Sequence, residues 1–223
     1  MCGRFAGYRD LEALREHFPI DRVEADPSPN YNVAPSQTIP AIVRLEGENI
    51  LRAFRWGLVP FWAKDPAIGN RMINARSETA DSKPAFRAAF RKRRCLIPAD
   101  GFYEWKGEKG IKQPMFIMLP GGRPFGFAGL WEVWDDKGGA DEPLYTCTIL
   151  TTSASASIAD IHDRMPVILD PQAYAEWLDE RTPGEALKKI LASRTRRDFQ
   201  SHPVSKAVNK VGNNSKDLIR KRD

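Results

Sequence analysis

The chain has 223 residues, 42% of them hydrophobic and 28% charged, with a net charge of +5 at neutral pH. That is enough chain for one sizeable core, and the modest basic excess fits either a polyanionic partner or a solvated surface. Three cysteines with no C-x-x-C pair give neither a disulfide framework nor a zinc site, and no apolar run reaches membrane-spanning length, so a reducing, cytoplasmic setting is expected.

In chain order, the sequence opens Met1-Cys2-Gly3-Arg4. A small second residue lets the initiator Met be removed, and Cys2 would then carry a free α-amine beside its thiol. An α-amine titrates at ~7.7–8.0 against ~10.4 for lysine, so roughly a tenth of it is neutral at pH 7. A neutral amine attacks an aldehyde, and the neighbouring thiol closes on the imine to form a thiazolidine. The same residue is also a possible acyl-transfer nucleophile, and on position alone it is most often a frayed end. Arg4, Arg9, Asp10 and Glu12 leave no apolar segment for a signal peptide or a lipoprotein signal.

Leu11, Leu14 and Phe18 follow Asp10 at helical spacing, with Asp10 as the cap. Residues 26–35, rich in Pro and Asn, read as an ordered loop. Ile39–Leu45 and Asn49–Trp56 read as two strands of a hairpin around Glu46-Gly47-Glu48. Ser82 is placed to cap a helix running to about Arg94, with Phe86, Ala89 and Phe90 on one side. Four further strands are expected at Cys95–Pro98, Pro114–Leu119, Phe125–Trp134 and Leu144–Thr151, and short helices at Ser153–Asp160, Pro171–Asp179 and Pro183–Ala192. Strands in the middle with helices between and after them give an α+β class, and a monomer is expected. One domain would span 1–210, with 211–223 a polar basic tail lying on the surface. Cys95 and Cys147 read as core thiols, and His17 and His202 as ordinary structural histidines.

Four segments concentrate the chemistry. They are Cys2-Gly3-Arg4-Phe5, Met72-Ile73-Asn74-Ala75-Arg76-Ser77-Glu78, Pro98-Ala99-Asp100-Gly101-Phe102-Tyr103-Glu104-Trp105 and Asp160-Ile161-His162-Asp163-Arg164-Met165-Pro166. Taken alone, Glu104 would be a sheet-edge charge, His162 a satisfied or exposed histidine and Asn74 a turn residue. In this order, and with Tyr31-Asn32-Val33-Ala34-Pro35 and Arg55-Trp56-Gly57-Leu58-Val59-Pro60, the segments resemble those of the SRAP (SOS-response-associated peptidase) family of abasic-site processing proteins. The likeness runs over most of the chain, to Pro203-Val204-Ser205 and Val208-Asn209.

The resemblance implies a compact domain with a curved, barrel-like, mostly antiparallel sheet flanked by short helices. It implies binding of single-stranded DNA and capture of the abasic-site aldehyde as a thiazolidine crosslink, with no cofactor and no metal. Cys2 matches the nucleophile, and Glu104 the carboxylate that moves a proton at the Cys2 amine or the sugar oxygen. His162 matches the acid/base histidine, and Asn74 an amide that positions the Cys2 end without titrating. Arg4, Arg76 and Arg164, each two residues after one of these, match phosphate-holding arginines. A guanidinium at Arg4 would also lower the Cys2 thiol pKa. Pro40 matches a wedge between bases, and Trp105 is a candidate stacking face for DNA. Trp56, Phe61 and Trp62 are further candidate stacking faces, with core packing expected for at least half of the four aromatics. The clusters Arg91–Arg94 and Arg194, Arg196, Arg197 read as solvated helix ends.

Two other functions start from the same residues. An N-terminal-nucleophile cysteine amidotransferase or peptidase also begins Met-Cys-Gly, though the substrate-binding motifs of such an enzyme are not found here. A self-directed peptidase step remains compatible with either, since exposing Cys2 requires the loss of Met1. A non-catalytic single-strand binding module would need none of the four residues for chemistry.

Overall fold

A computed structural model describes residues 2–108, 111–135 and 142–222. Its strands are β1 (Phe5–Gly7), β2 (Arg22–Val23), β3 (Asn30–Val33), β4 (Thr38–Leu45), β5 (Glu48–Trp56), β6 (Asn74–Arg76) and β7 (Arg94–Ala99), then β8 (Gly101–Lys106), β9 (Gln113–Met118), β10 (Phe125–Trp134), β11 (Leu144–Ser153), β12 (Arg164–Pro166), β13 (Ile168–Leu169) and β14 (Gln200–Pro203). The α-helices are short: α1 (Leu11–Arg15), α2 (Arg87–Lys92), α3 (Tyr174–Leu178) and α4 (Gly184–Ser193). The class is α+β, as the sequence implies.

The larger sheet closes on itself. Neighbours β11-β10-β7-β4-β5 are hydrogen-bonded in that order, and β5 returns to β11 through a parallel pairing at Arg55–Thr146 and Trp56–Cys147. Alternation along these strands sorts two apolar layers, as period-two side chains must. Ala41, Val43, Phe54, Trp56, Cys95, Ile97, Phe127, Trp131, Cys147 and Ile149 pack together within the ring. Ile42, Leu51, Leu96, Ala128, Leu130 and Leu150 face out, where Leu14, Phe90, Trp177, Leu187 and Ile190 from the helices cover them.

A second sheet runs β14-β9-β8-β1-β3. Its inner face, with Phe5, Val33, Phe102 and Ile117, joins the core of the ring. Its outer face carries Ala6, Tyr103 and Phe116, and is covered by Val204, Val208 and Leu218 from the chain end. The stretch from Val204 to Leu218, the C-terminal strap, thus lies against this face, with all three of these side chains buried. Gly101 allows the close approach of β8 and β9, since a Cβ there would sit 2.2 Å from the Phe116 ring and 2.9 Å from the Ile117 carbonyl.

Several local expectations are corrected. Residues 30–33, read as loop, form β3, because Phe5 and Gly7 of β1 supply a pairing partner at Val33 and Asn30. The helix from Ser82 begins only at Arg87, and the Ser82 hydroxyl donates back to Thr79 O at 3.1 Å instead of capping it. Residues 153–160 are not a helix: β11 runs to Ser153, and turns follow that bury Ile158 and Ile161. Arg94 is not a solvated helix end. It is 2% exposed, and its guanidinium donates to the carbonyls of Trp177, Phe90, Arg91 and Asp179 at 2.5–2.9 Å. Asp10 does cap α1, accepting from Ala13 N at 2.9 Å.

Candidate functional site

The site forms where the second sheet meets the ring. Cys2 precedes β1 and is fully buried, among the side chains of the inner core. Asn74 opens β6, which runs parallel to β11 with Asn74 opposite Ile149. The Asn74 Nδ2 donates to Cys2 O at 2.8 Å, while its Oδ1 is buried with no hydrogen-bond partner among the described residues. Glu104 lies in β8 beside Phe102 and Trp105 and is 4% exposed. Its carboxyl is held above the ordinary carboxylate range by burial, while the nearby charges of His162 and Lys112 oppose that shift. Burial, and after it the charge of Glu104, pushes the Cys2 thiol well above its ordinary pKa. Across 160 positions of sequence, Cys2 is thus joined to Asn74 by a hydrogen bond and to Glu104 by its charge, and Glu104 in turn to His162.

His162 follows the turns after β11. Its Nδ1 lies 2.9 Å from the Arg164 backbone nitrogen and 2.8 Å from Asp163 Oδ1. When Nδ1 accepts from the Arg164 N–H, the neutral ring carries its proton on Nε2; a proton on Nδ1 instead faces the Asp163 carboxylate. A Lys106–Asp160 ion pair at 2.5 Å ties this loop to the end of β8, next to Glu104.

The arginines divide. Arg76 is exposed at the end of β6. Arg164 is paired in two directions, donating to both oxygens of Glu78 at 2.7 and 2.9 Å and to Thr151 O at 2.7 Å. Glu78, in the same segment as Asn74, was not among the expected site residues, although an acidic residue so near Asn74 was a signal for it. Arg4 turns to the outer face of the second sheet, where its Nη1 donates to Asn32 Oδ1 and Val208 O, each at 2.7 Å. The expectation that the Arg4 guanidinium lowers the thiol pKa is overturned: only its backbone N–H acts in that direction, and burial outweighs it.

Trp105 is half-buried on the outer face, with Nε1 donating to Asn209 Oδ1 at 2.8 Å. Trp56 lies in the core, whereas Phe61 and Trp62 are 54% and 49% exposed. Pro40 lies in β4 and lines a cavity of about 340 Å³ with Phe5, Arg9, Leu14 and Asp100. Among the described residues no three His, Cys, Asp or Glu side chains gather as a metal site would require.

The pattern of the family described as SOS response associated peptidase (SRAP) matches residues 1–211. The chain belongs to the SRAP family. Relatives of the family include the abasic site processing protein YoqW of Bacillus subtilis, 46% identical over 98% of this chain and 99% of its own length. YedK of Escherichia coli, an abasic site processing protein, is 35% identical over 98% of this chain and 99% of its own. HMCES of Gallus gallus, named in the same way, is 36% identical over 98% of this chain and 77% of its own. A crystal structure of a protein from Bacteroides thetaiotaomicron, 24% identical, has the same fold with a TM-score of 0.85 over 99% of this chain and all of its own. That of a phage-related protein from Bordetella bronchiseptica, 32% identical, superposes with a TM-score of 0.72 over 92% of this chain and 95% of its own. No helix among the described residues is long and apolar enough to cross a membrane.

Proposed function

We propose that this SRAP protein processes abasic sites in single-stranded DNA by capturing the sugar aldehyde on Cys2 as a thiazolidine. The observation that carries the reading is the link of Cys2 to two of the residues described above: Asn74 Nδ2 bonds the Cys2 carbonyl at 2.8 Å, and Glu104, itself within the field of His162, acts on the Cys2 thiol.

Loss of Met1, by self-cleavage or by another protease, leaves Cys2 as an α-amine. The neutral amine adds to the aldehyde carbon of the opened sugar, and the carbinolamine loses water to give an imine. The Cys2 sulfur then bonds to the imine carbon, and the thiol proton passes to the imine nitrogen. Glu104 suits the proton steps, because a carboxyl raised by burial exists in both forms nearer neutral pH than an exposed one. The thiol is protonated in its buried site, so the amine attacks first. His162, with Nδ1 held by the Arg164 backbone, presents a proton on Nε2 to an oxygen that leaves or returns. The buried Asn74 Oδ1 is an acceptor for the amine or a sugar hydroxyl. Exposed Arg76, and Arg164 where phosphate displaces Glu78, are the phosphate contacts on this side.

The test is incubation of Met-free protein with an abasic single strand, followed by a denaturing gel. A shifted band that persists in denaturant, and is lost in Cys2→Ala, is expected. Absence of that band from the unmutated protein, or glutaminase activity without DNA, would remove the reading.

A further inference from the structure

Asn32 is a polar side chain buried under the outer face of the second sheet, 1% exposed, that no step above uses. Its Nδ2 lies 2.9 Å from Asn213 O, 3.1 Å from Lys210 O and 3.3 Å from Val208 O. Its Oδ1 accepts from Arg4 Nη1 at 2.7 Å, and Val208 O accepts from the same Nη1. Arg4, Asn32 and Val208 therefore close a triangle between β1, β3 and the C-terminal strap. Only an amide serves at its centre, because one end must donate to carbonyls while the other accepts from a guanidinium.

The triangle bears on Cys2 through Arg4. The Arg4 carbonyl accepts from Tyr103 N at 2.9 Å, one residue before Glu104, and Arg4 stands two residues after Cys2. A shift of Arg4 against Tyr103 thus moves Cys2 against Glu104. Burial makes the Arg4 charge costly, and its Nε has no hydrogen-bond partner among the described residues, so the Nη1 bonds bear on where it rests. The strap grips the far side of Glu104 as well, since Asn209 Oδ1 accepts from Trp105 Nε1.

We propose that Asn32 is a positioning residue for the Cys2 reaction, acting through Arg4 to fix Cys2 against Glu104, with the C-terminal strap as its anchor. This rests on the aldehyde-capture reading. Small misplacements of reacting groups are expensive: about 1 Å costs on the order of 100-fold in rate.

The experiment compares unmutated protein with Asn32→Ala and Asn32→Asp. Three quantities are read: the crosslinking rate at saturating protein, the affinity for a strand bearing a tetrahydrofuran abasic analogue that has no aldehyde, and the melting temperature. The expected result for Asn32→Ala is a rate about 10- to 100-fold lower at a temperature far below its melting point, with affinity for the analogue unchanged. Asn32→Asp keeps the acceptor for Arg4 but sets its other oxygen against the strap carbonyls of Val208, Lys210 and Asn213, so the anchor is lost and the rate should fall as well. An Asn32→Ala protein that is less stable yet crosslinks at the unmutated rate overturns the proposal, as does an Asn32→Asp protein that crosslinks at the unmutated rate. If Asn32→Ala does not fold, Arg4→Met takes its place, read with propionaldehyde, which carries no phosphate for Arg4 to hold. Slower thiazolidine formation on that aldehyde supports the proposal, and an unchanged rate overturns it. A failure of the unmutated protein to crosslink would remove the parent reading instead, so the two failures are distinct.

Discussion

Replacing Glu104 by Gln should slow the chemistry and stabilise the fold. The side chain keeps its volume, and 4% exposure leaves little water to compensate a charge. Burial holds the folded-state carboxyl above the ordinary range, and the unfolded chain ionises near the usual ~4.3 for Glu. The sign follows: whatever Glu104 adds to stability is fully present below the unfolded value and is lost as pH rises through the folded one. Each unit of displacement costs about 1.4 kcal/mol at neutral pH, and about 1 kcal/mol moves the melting temperature of a chain this size by about 2–4 °C. Glu104→Gln should therefore melt higher than the unmutated protein at pH 7, an advantage that vanishes at pH 4. Its crosslinking rate should fall by about 10²–10⁴, the usual worth of a positioned acid or base. Calorimetry at the two pH values and gel time courses at saturating protein read both effects. A Gln variant that crosslinks at the unmutated rate would refute the proton-transfer role. One that melts lower at pH 7 would refute the claim that burial dominates the carboxyl.

Two further outcomes follow from the arginines. Arg76→Ala should weaken single-strand binding and make the slope of log affinity against log salt shallower by about 0.7, the worth of one phosphate, in a fluorescence titration; an unchanged slope would remove Arg76 from the DNA contacts. Arg94→Met leaves four carbonyls without their donor and should cost more than about 3 kcal/mol, read as a lower urea midpoint, while crosslinking by the folded fraction is unaffected.

Sequence carried the ring well because its strands alternate cleanly. Ala41 and Val43 point one way and Ile42 the other, and the same holds for Cys95 and Ile97 against Leu96. It failed where pairing, not pattern, makes the strand. Asn30–Val33 follows two prolines and looks like loop until β1 is alongside, and Gly101–Lys106 buries both Phe102 and Tyr103, so a period of two does not mark it. Arg94 ends a basic run, and nothing in that run tells that its guanidinium turns inward to four carbonyls.

At the site, motif order singled out Cys2, Asn74, Glu104 and His162 as candidates, but spacing could not say which face of the sheet each neighbour takes. Arg4, Arg76 and Arg164 stand at the same offset from Cys2, Asn74 and His162, yet only Arg76 is exposed. Arg164 is held by Glu78, and Arg4 lies across the sheet from the chemistry. The reason is local. Phe5 and Phe102 turn into the core, so Ala6 and Tyr103 turn outward, and Arg4 falls in the outward register with them. Cys2 escapes that register because β1 starts only at Phe5, leaving the preceding residues free to bend back under the sheet. That bend separates the thiol from its neighbouring guanidinium and leaves Arg4 with Asn32 and the C-terminal strap as its partners.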